Sequence, residues 1–148
     1  MAVEIAIKKL KDQAQLPKAG SAFAAGYDLY ACTGNGKTVI APHTTAMIGT
    51  GLAAAIPEGY FGGVFARSGL AAKQGLRPAN CVGVIDSDYR GEITVALHND
   101  TPEERVVEDG ERIAQLVVMP YLACSFVPAE ELDETDRGEG GFGHTGKR

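Results

Sequence analysis

Apolar and polar residues alternate with a period of two along much of this chain. Val3, Ile5 and Ile7 fall on one face of the first run. Ile93, Val95 and Leu97 share a face further on, with Glu92, Thr94 and His98 opposite, and Leu122, Cys124 and Phe126 repeat the pattern near the end. A period of two places alternate side chains on opposite faces of a strand, one toward a core and one toward water. Turn-forming residues punctuate these runs at Thr33-Gly-Asn-Gly36, Pro42, Pro57-Glu-Gly59 and Glu108-Asp-Gly110. Many short strands with regular punctuation predict an all-β sandwich or barrel. Only Leu70–Gln74 reads as helical, between Ser68 as the predicted N-cap and Gly75 as the stop. No internal repeat is visible.

Composition fits that picture. A chain of 148 residues, 45% apolar, is one domain with a sizeable core. Its formal net charge of -5 argues against a duplex nucleic-acid binder, which needs a basic face to neutralise phosphates. A small anionic substrate stays compatible, because a few placed arginines outweigh a mildly acidic surface locally. Cys32, Cys81 and Cys124 are odd in number and far apart, without a Cys-x-x-Cys pair, and His43, His98 and His144 do not cluster with them. That spacing predicts buried free thiols, with no disulfide framework or structural zinc. The N-terminus lacks a continuous apolar signal core and no stretch approaches membrane-span length, so a cytoplasmic location is expected.

Two loose motif matches do not survive their context. Ala31–Thr38 resembles a phosphate-binding loop, but Val39-Ile40-Ala41-Pro42 follows where a helix is required, so it reads as a turn between strands. Gly138-x-Gly140-x-x-Gly143 lacks both the strand before it and room for the helix after it.

The chemistry-bearing residues lie in two segments. Asn80–Gly91 runs from apolar residues to a polar tip holding Asp86, Asp88 and Tyr89, and strict alternation follows, which predicts a β-hairpin. A carboxylate there can orient and deprotonate a water, although an Asp-rich turn alone has a plainer structural use. Gly63–Leu70 places Arg67, Ser68 and Gly69 at the start of the helical stretch, a combination suited to an anion and equally to a capped surface turn. Beyond these, residues 130–136 are acidic and residues 138–146 are mostly glycine around Phe142, a composition that by itself predicts a disordered end.

Five segments in order resemble the trimeric deoxyuridine triphosphatase (dUTPase) family: Ala25–Ala31, Ala66–Leu70, Gly83–Gly91, Gly110–Leu116 and Arg137–Gly146. The resemblance spans nearly the whole chain. It implies a β jelly roll over residues 1–129, with a C-terminal arm at 130–148 that closes as a lid, and a homotrimer whose subunits share each active site. The implied reaction is hydrolysis of dUTP to dUMP and pyrophosphate, which lowers dUTP and supplies dUMP for dTMP synthesis. Asp86 matches the residue that activates the attacking water. Asn80 and the backbone of Val84, Ile85 and Asp86 would bind uracil, and Tyr89 would pack beneath the deoxyribose. Folding the hairpin about Asp88-Tyr89 also sets Thr94 opposite Val84, near the base. Arg67, Ser68, Gly69 and Gln115 would hold phosphates. Arg137 would reach the phosphates too, Phe142 would stack on uracil, and Gly143, His144 and Thr145 would wrap the triphosphate. Asp28 would act on Mg2+ indirectly, through water. Ala66 and His144 stand in slots often filled by Pro and Ser. A related dCTP deaminase carries a catalytic Glu in the slot aligned with Ala96, and alanine cannot shuttle protons. A catalytically silent nucleotide sensor is the remaining alternative, and intact Asp86 and lid residues count against it.

Overall fold

The computed structural model describes residues 2–147. Eleven strands and one helix follow in order: β1 (Ala6–Lys9), β2 (Lys18–Ala19), β3 (Tyr27–Tyr30), β4 (Lys37–Ile40), β5 (Thr45–Ala55), β6 (Tyr60–Phe65), α1 (Ser68–Gln74), β7 (Leu76–Pro78), β8 (Val82–Ile85), β9 (Glu92–Asn99), β10 (Arg105–Glu108) and β11 (Arg112–Pro120). They build a jelly-roll sandwich. One sheet has the order β1-β5-β9-β7, the other β2-β3-β11-β6-β8, and β10-β4 form a separate ribbon. Each pairing is antiparallel.

The alternation of β9 is realised in full: Ile93, Val95 and Leu97 are buried, while Glu92, Thr94, Ala96 and His98 remain half exposed. They meet Leu29, Val64, Leu116 and Ile85 from the facing sheet in one core, to which the ribbon adds Ile40 and Val107. Burying each such side chain contributes about 1.5–3 kcal/mol before entropy is counted. Asn99 is wholly buried, and its amide donates to the carbonyls of Ile40, Ala41 and Glu103. Without those acceptors a buried amide would be strongly destabilising.

Four expectations are corrected by the structure. First, β8 and β9 do not form a hydrogen-bonded hairpin. β8 pairs with β6 and β9 pairs with β5 and β7, so the two strands around Asp86–Gly91 belong to opposite sheets. Both apolar faces are thereby buried in the sandwich, and the strands part instead of zipping. Second, Arg67, with φ -86° and ψ 128°, takes the N-cap position of α1 without a side-chain cap, and Ser68 is the first helical residue. The stop is as expected: Gly75 adopts φ 66° and donates to the carbonyls of Ala71 and Leu70. Third, Leu122–Phe126 forms no strand and pairs with none of the described strands, and Leu122 and Phe126 are almost fully exposed. Fourth, only Cys32 is a buried thiol. Cys81 and Cys124 are free and exposed, one in the turn before β8 and the other beyond the last strand. No helix among the described residues is long and apolar enough to cross a membrane.

Candidate functional site

Three groups of candidate residues occupy three separate places. The first is built on the middle of the five-stranded sheet. Gln115 of β11 lies opposite Asp28 of β3 on one side and Phe65 of β6 on the other, so these positions stand abreast on one face. β6 then leads through Ala66 to Arg67, whose Nε donates to Asp28 Oδ1 at 2.9 Å. Gln115 Nε2 donates to the Ala66 carbonyl at 2.9 Å, tying the approach to α1 onto β11. Gly26 leaves room for this amide, since a Cβ there would collide with the Gln115 side-chain oxygen. Exposed Ser68 and Gly69 complete an open cavity of about 770 Å³ with Asp28, Arg67 and Gln115.

Arg112 and Cys81 line the same cavity, two residues for which sequence patterning predicts no role in a site. Arg112 Nη1 reaches Asp28 Oδ2 at 3.5 Å, a second and looser cation on one carboxylate. Its signal was present in the sequence, because Arg112 belongs to the same matched segment as Gln115. Cys81 comes there by an unusual backbone, φ 65°, which spacing alone does not reveal.

The second group surrounds the gap where β8 and β9 diverge. A cavity of about 290 Å³ is lined by Asn80, Val84, Ile85, Asp86, Tyr89 and Thr94 among others, so Thr94 does stand near Val84 despite the missing hairpin ladder. β8 is the edge strand of its sheet, and its outer backbone groups have no strand partner. Ile85 turns its side chain into the core, whereas Val84 and Asp86 are exposed. Asp86 also lines a larger open cavity of about 970 Å³ with Ile56, Glu58 and Arg90. Asp86 therefore borders both the smaller cavity and the wide one. Tyr89 folds back over Gly91, where a side chain would strike its ring, and its hydroxyl donates to the Glu92 carbonyl at 2.9 Å. Glu92 lines this cavity as well, although its place in the alternation marks it only as a polar-face residue.

The third group is the C-terminal arm. Arg137, Phe142, Gly143, His144 and Thr145 are all exposed and line neither cavity. Arg137 Nε donates only to the nearby Gly140 carbonyl, and Phe142 and Gly143 adopt φ of 49° and 83° in a run of turns. The first two cavities share no lining residue, so a single subunit does not unite the candidate residues.

The donor set bears on a metal. Among the described residues no group of three or more His, Cys, Asp or Glu side chains could hold an ion. Asp28 is the carboxylate of the first cavity, and Arg67 already engages one of its oxygens. Such a set fits a hard cation carried mainly by ligand oxygens and water, as Mg2+ commonly is in phosphate sites.

Known proteins match this chain in sequence and in fold. The sequence model of the dUTPase family matches residues 12–146. The deoxyuridine 5'-triphosphate nucleotidohydrolase of Syntrophotalea carbinolica is 49% identical over 144 residues, covering 97% of each chain. That of Desulfitobacterium hafniense (strain DSM 10664 / DCB-2) is 51% identical over 145 residues, covering 97% of this chain and 95% of the other. Among solved structures, the Staphylococcus bacteriophage 80alpha dUTPase G164S mutant with dUpNHpp superposes with a TM-score of 0.87 at 29% identity, covering 98% of this chain and 99% of that one. Family model, relatives and fold agree over nearly the full length, and the chain belongs to the dUTPase family.

Proposed function

We propose that this protein hydrolyses dUTP to dUMP and pyrophosphate, with the gap between β8 and β9 as the nucleoside pocket. The observation that carries this reading is the position of Asp86, exposed where the smaller cavity borders the wide one. A base held in the smaller cavity would put its phosphates in the wide one, past that carboxylate. The unpaired edge of β8 offers N–H and C=O groups to a uracil, Asn80 adds an amide, and Tyr89 offers a flat platform for the deoxyribose. A ribose 2′-hydroxyl would meet that ring.

In the reaction, Asp86 takes a proton from a water as its oxygen bonds to the α-phosphorus. The bond from the α-phosphorus to the bridging oxygen breaks in line, and pyrophosphate leaves with the electron pair. Arg67 and Arg137, with backbone N–H groups of Ser68 and Gly69 and the amide of Gln115, offset the charge on the phosphates. Mg2+ bound on the triphosphate would withdraw further charge from its oxygens, with Asp28 meeting the ion's water shell. Ser68 has no neighbouring base and serves as a ligand, not a nucleophile.

The family resemblance supports a homotrimer with shared sites, and the separation of the residue groups fits it. Subunits packed side by side would bring the Asp28–Arg67 cavity of one against the Asp86 cavity of another. The arm, residues 130–148, would then close over the joint site as a lid carrying Phe142 onto the base and Gly143, His144 and Thr145 along the phosphates. The exposure of Arg137, Phe142, Gly143, His144 and Thr145 is what supports that reading. Deamination is disfavoured by Ala96 in the β9 slot where a proton-shuttling carboxylate would be needed.

The test is pyrophosphate release from dUTP with Mg2+ by the wild type and Asp86→Asn. Release by the first and not the second supports the reaction and its base. Binding of dUTP without release by the folded wild type would move the protein to the nucleotide-sensor reading.

A further inference from the structure

Glu92 opens β9 on the wall of the nucleoside cavity, and the mechanism above does not use it. Its Oε1 accepts the backbone N–H of Gly51 at 2.8 Å. The contact exists because β5 is irregular there. β5 advances from Gly49 to Ala53 while β9 moves only from Thr94 to Glu92, so the ordinary ladder is interrupted. Gly51 turns its N–H outward with φ 68°, and a Cβ on Gly49 would come within 2.5 Å of Glu92 Oε1. Between them, the Thr50 hydroxyl donates to the Ile93 carbonyl at 2.6 Å. The side chains of Thr50 and Glu92 thus tie β5 to the start of β9 across the interrupted stretch, next to the backbone pair Ala53–Glu92. On the other side, the Glu92 carbonyl accepts the Tyr89 hydroxyl at 2.9 Å.

We infer that Glu92 is a positioning residue for sugar selection: its carboxylate anchors the start of β9 to the β5 irregularity and thereby fixes the carbonyl that holds Tyr89. The inference rests on the reading of Tyr89 as the deoxyribose platform. A tyrosine tethered at its hydroxyl resists displacement by a 2′-hydroxyl. A tyrosine tethered to a loose strand end yields to it.

The experiment compares kcat/KM for dUTP and for UTP in the purified protein. Glu92→Ala lowers the dUTP-to-UTP ratio about tenfold, the scale of one charge-assisted hydrogen bond. Glu92→Gln keeps an oxygen for the Gly51 N–H and stays within about twofold of wild type. Tyr89→Phe, which loses the tethering hydroxyl, shifts the ratio in the same direction, and the Glu92→Ala/Tyr89→Phe double variant is no worse than the stronger single one. If Glu92→Ala does not fold, Gly49→Ala, which crowds the carboxylate from the opposite side, must lower the ratio instead. An unchanged ratio in Glu92→Ala, or a Gln variant as defective as Ala, overturns the inference. Tyr89→Ala then separates the causes: a fall in its ratio leaves the platform reading standing and removes only the Glu92 link, while no fall removes both.

Discussion

Arg67 Nε lies 2.9 Å from Asp28 Oδ1, joining the start of α1 to β3 across the intervening β11. Both side chains are largely covered, so each is expensive to strand without its partner. Arg67→Ala removes the cation and frees Asp28, and should cut kcat/KM for dUTP by about a hundredfold or more. Asp28→Asn keeps a hydrogen-bond acceptor for Arg67, and should cost about tenfold, with a larger Mg2+ requirement. Pyrophosphate release measured across a Mg2+ titration checks both. An Asp28→Asn protein with the wild-type Mg2+ curve would remove Asp28 from any role near the ion.

The separation of the two cavities makes a prediction about mixtures. Alone, Asp86→Asn subunits should be inactive and Arg67→Ala subunits impaired by about a hundredfold or more. Unfolded together and refolded, they should regain a measurable share of activity, because some joint sites would pair an intact Asp86 with an intact Arg67. Mixtures no more active than their components would argue that each subunit works by itself.

Removal of residues 137–148 should leave the fold nearly as stable as before, since the exposed Arg137, Phe142 and His144 contribute nothing to the core. Turnover should fall by about a hundredfold, the effect of losing both an arginine contact and water exclusion. Thermal unfolding and steady-state turnover on the same preparation separate these effects. A large fall in Tm would show that the arm is structural.

Acid should weaken the fold through Asp109. Burial opposes its ionisation most strongly, yet the Thr33 backbone N–H, the Thr33 hydroxyl and the backbone of Gly34 and Gly36 together outweigh burial and hold its carboxyl below the usual value. Asp100 is lowered likewise, first by its side-chain bond to Arg77. A depressed carboxylate contributes stability that is complete above the unfolded value of about 3.9 and is lost as pH falls through the folded one. Between pH 7 and pH 3, Tm of the wild type should therefore drop further than that of Asp109→Asn. Parallel curves would mean that the Thr33–Gly36 turn is not held by this charge.

The strands of this protein were legible wherever one face is core and the other water, as in Ile93, Val95 and Leu97. The Thr33-Gly-Asn-Gly36 turn was legible too, since Gly34 and Gly36 take φ of 81° and 80°, values that favour glycine. Leu122–Phe126 carried the same alternation and formed no strand, because a period of two records a preference for a sheet without supplying a neighbour to complete it. The contacts of Arg112 and Glu92 are not legible in the sequence for a related reason. Their partners, Asp28 and Gly51, lie 84 and 41 residues away.

By itself, the sequence determined the all-β class, the turns, the single helix with its glycine stop, and the family to which the ordered motifs belong. These depend on local periodicity, backbone preference and short runs of chemistry, all of which are written in consecutive residues. The folded arrangement alone sends β8 and β9 into opposite sheets, leaving a cavity where a closed hairpin was expected. It also decided that Asp28, Arg67 and Gln115 gather apart from Asp86 and Tyr89. Sheet membership is set by which distant strand offers the better apolar face and open edge, a competition among long-range contacts that no local window contains.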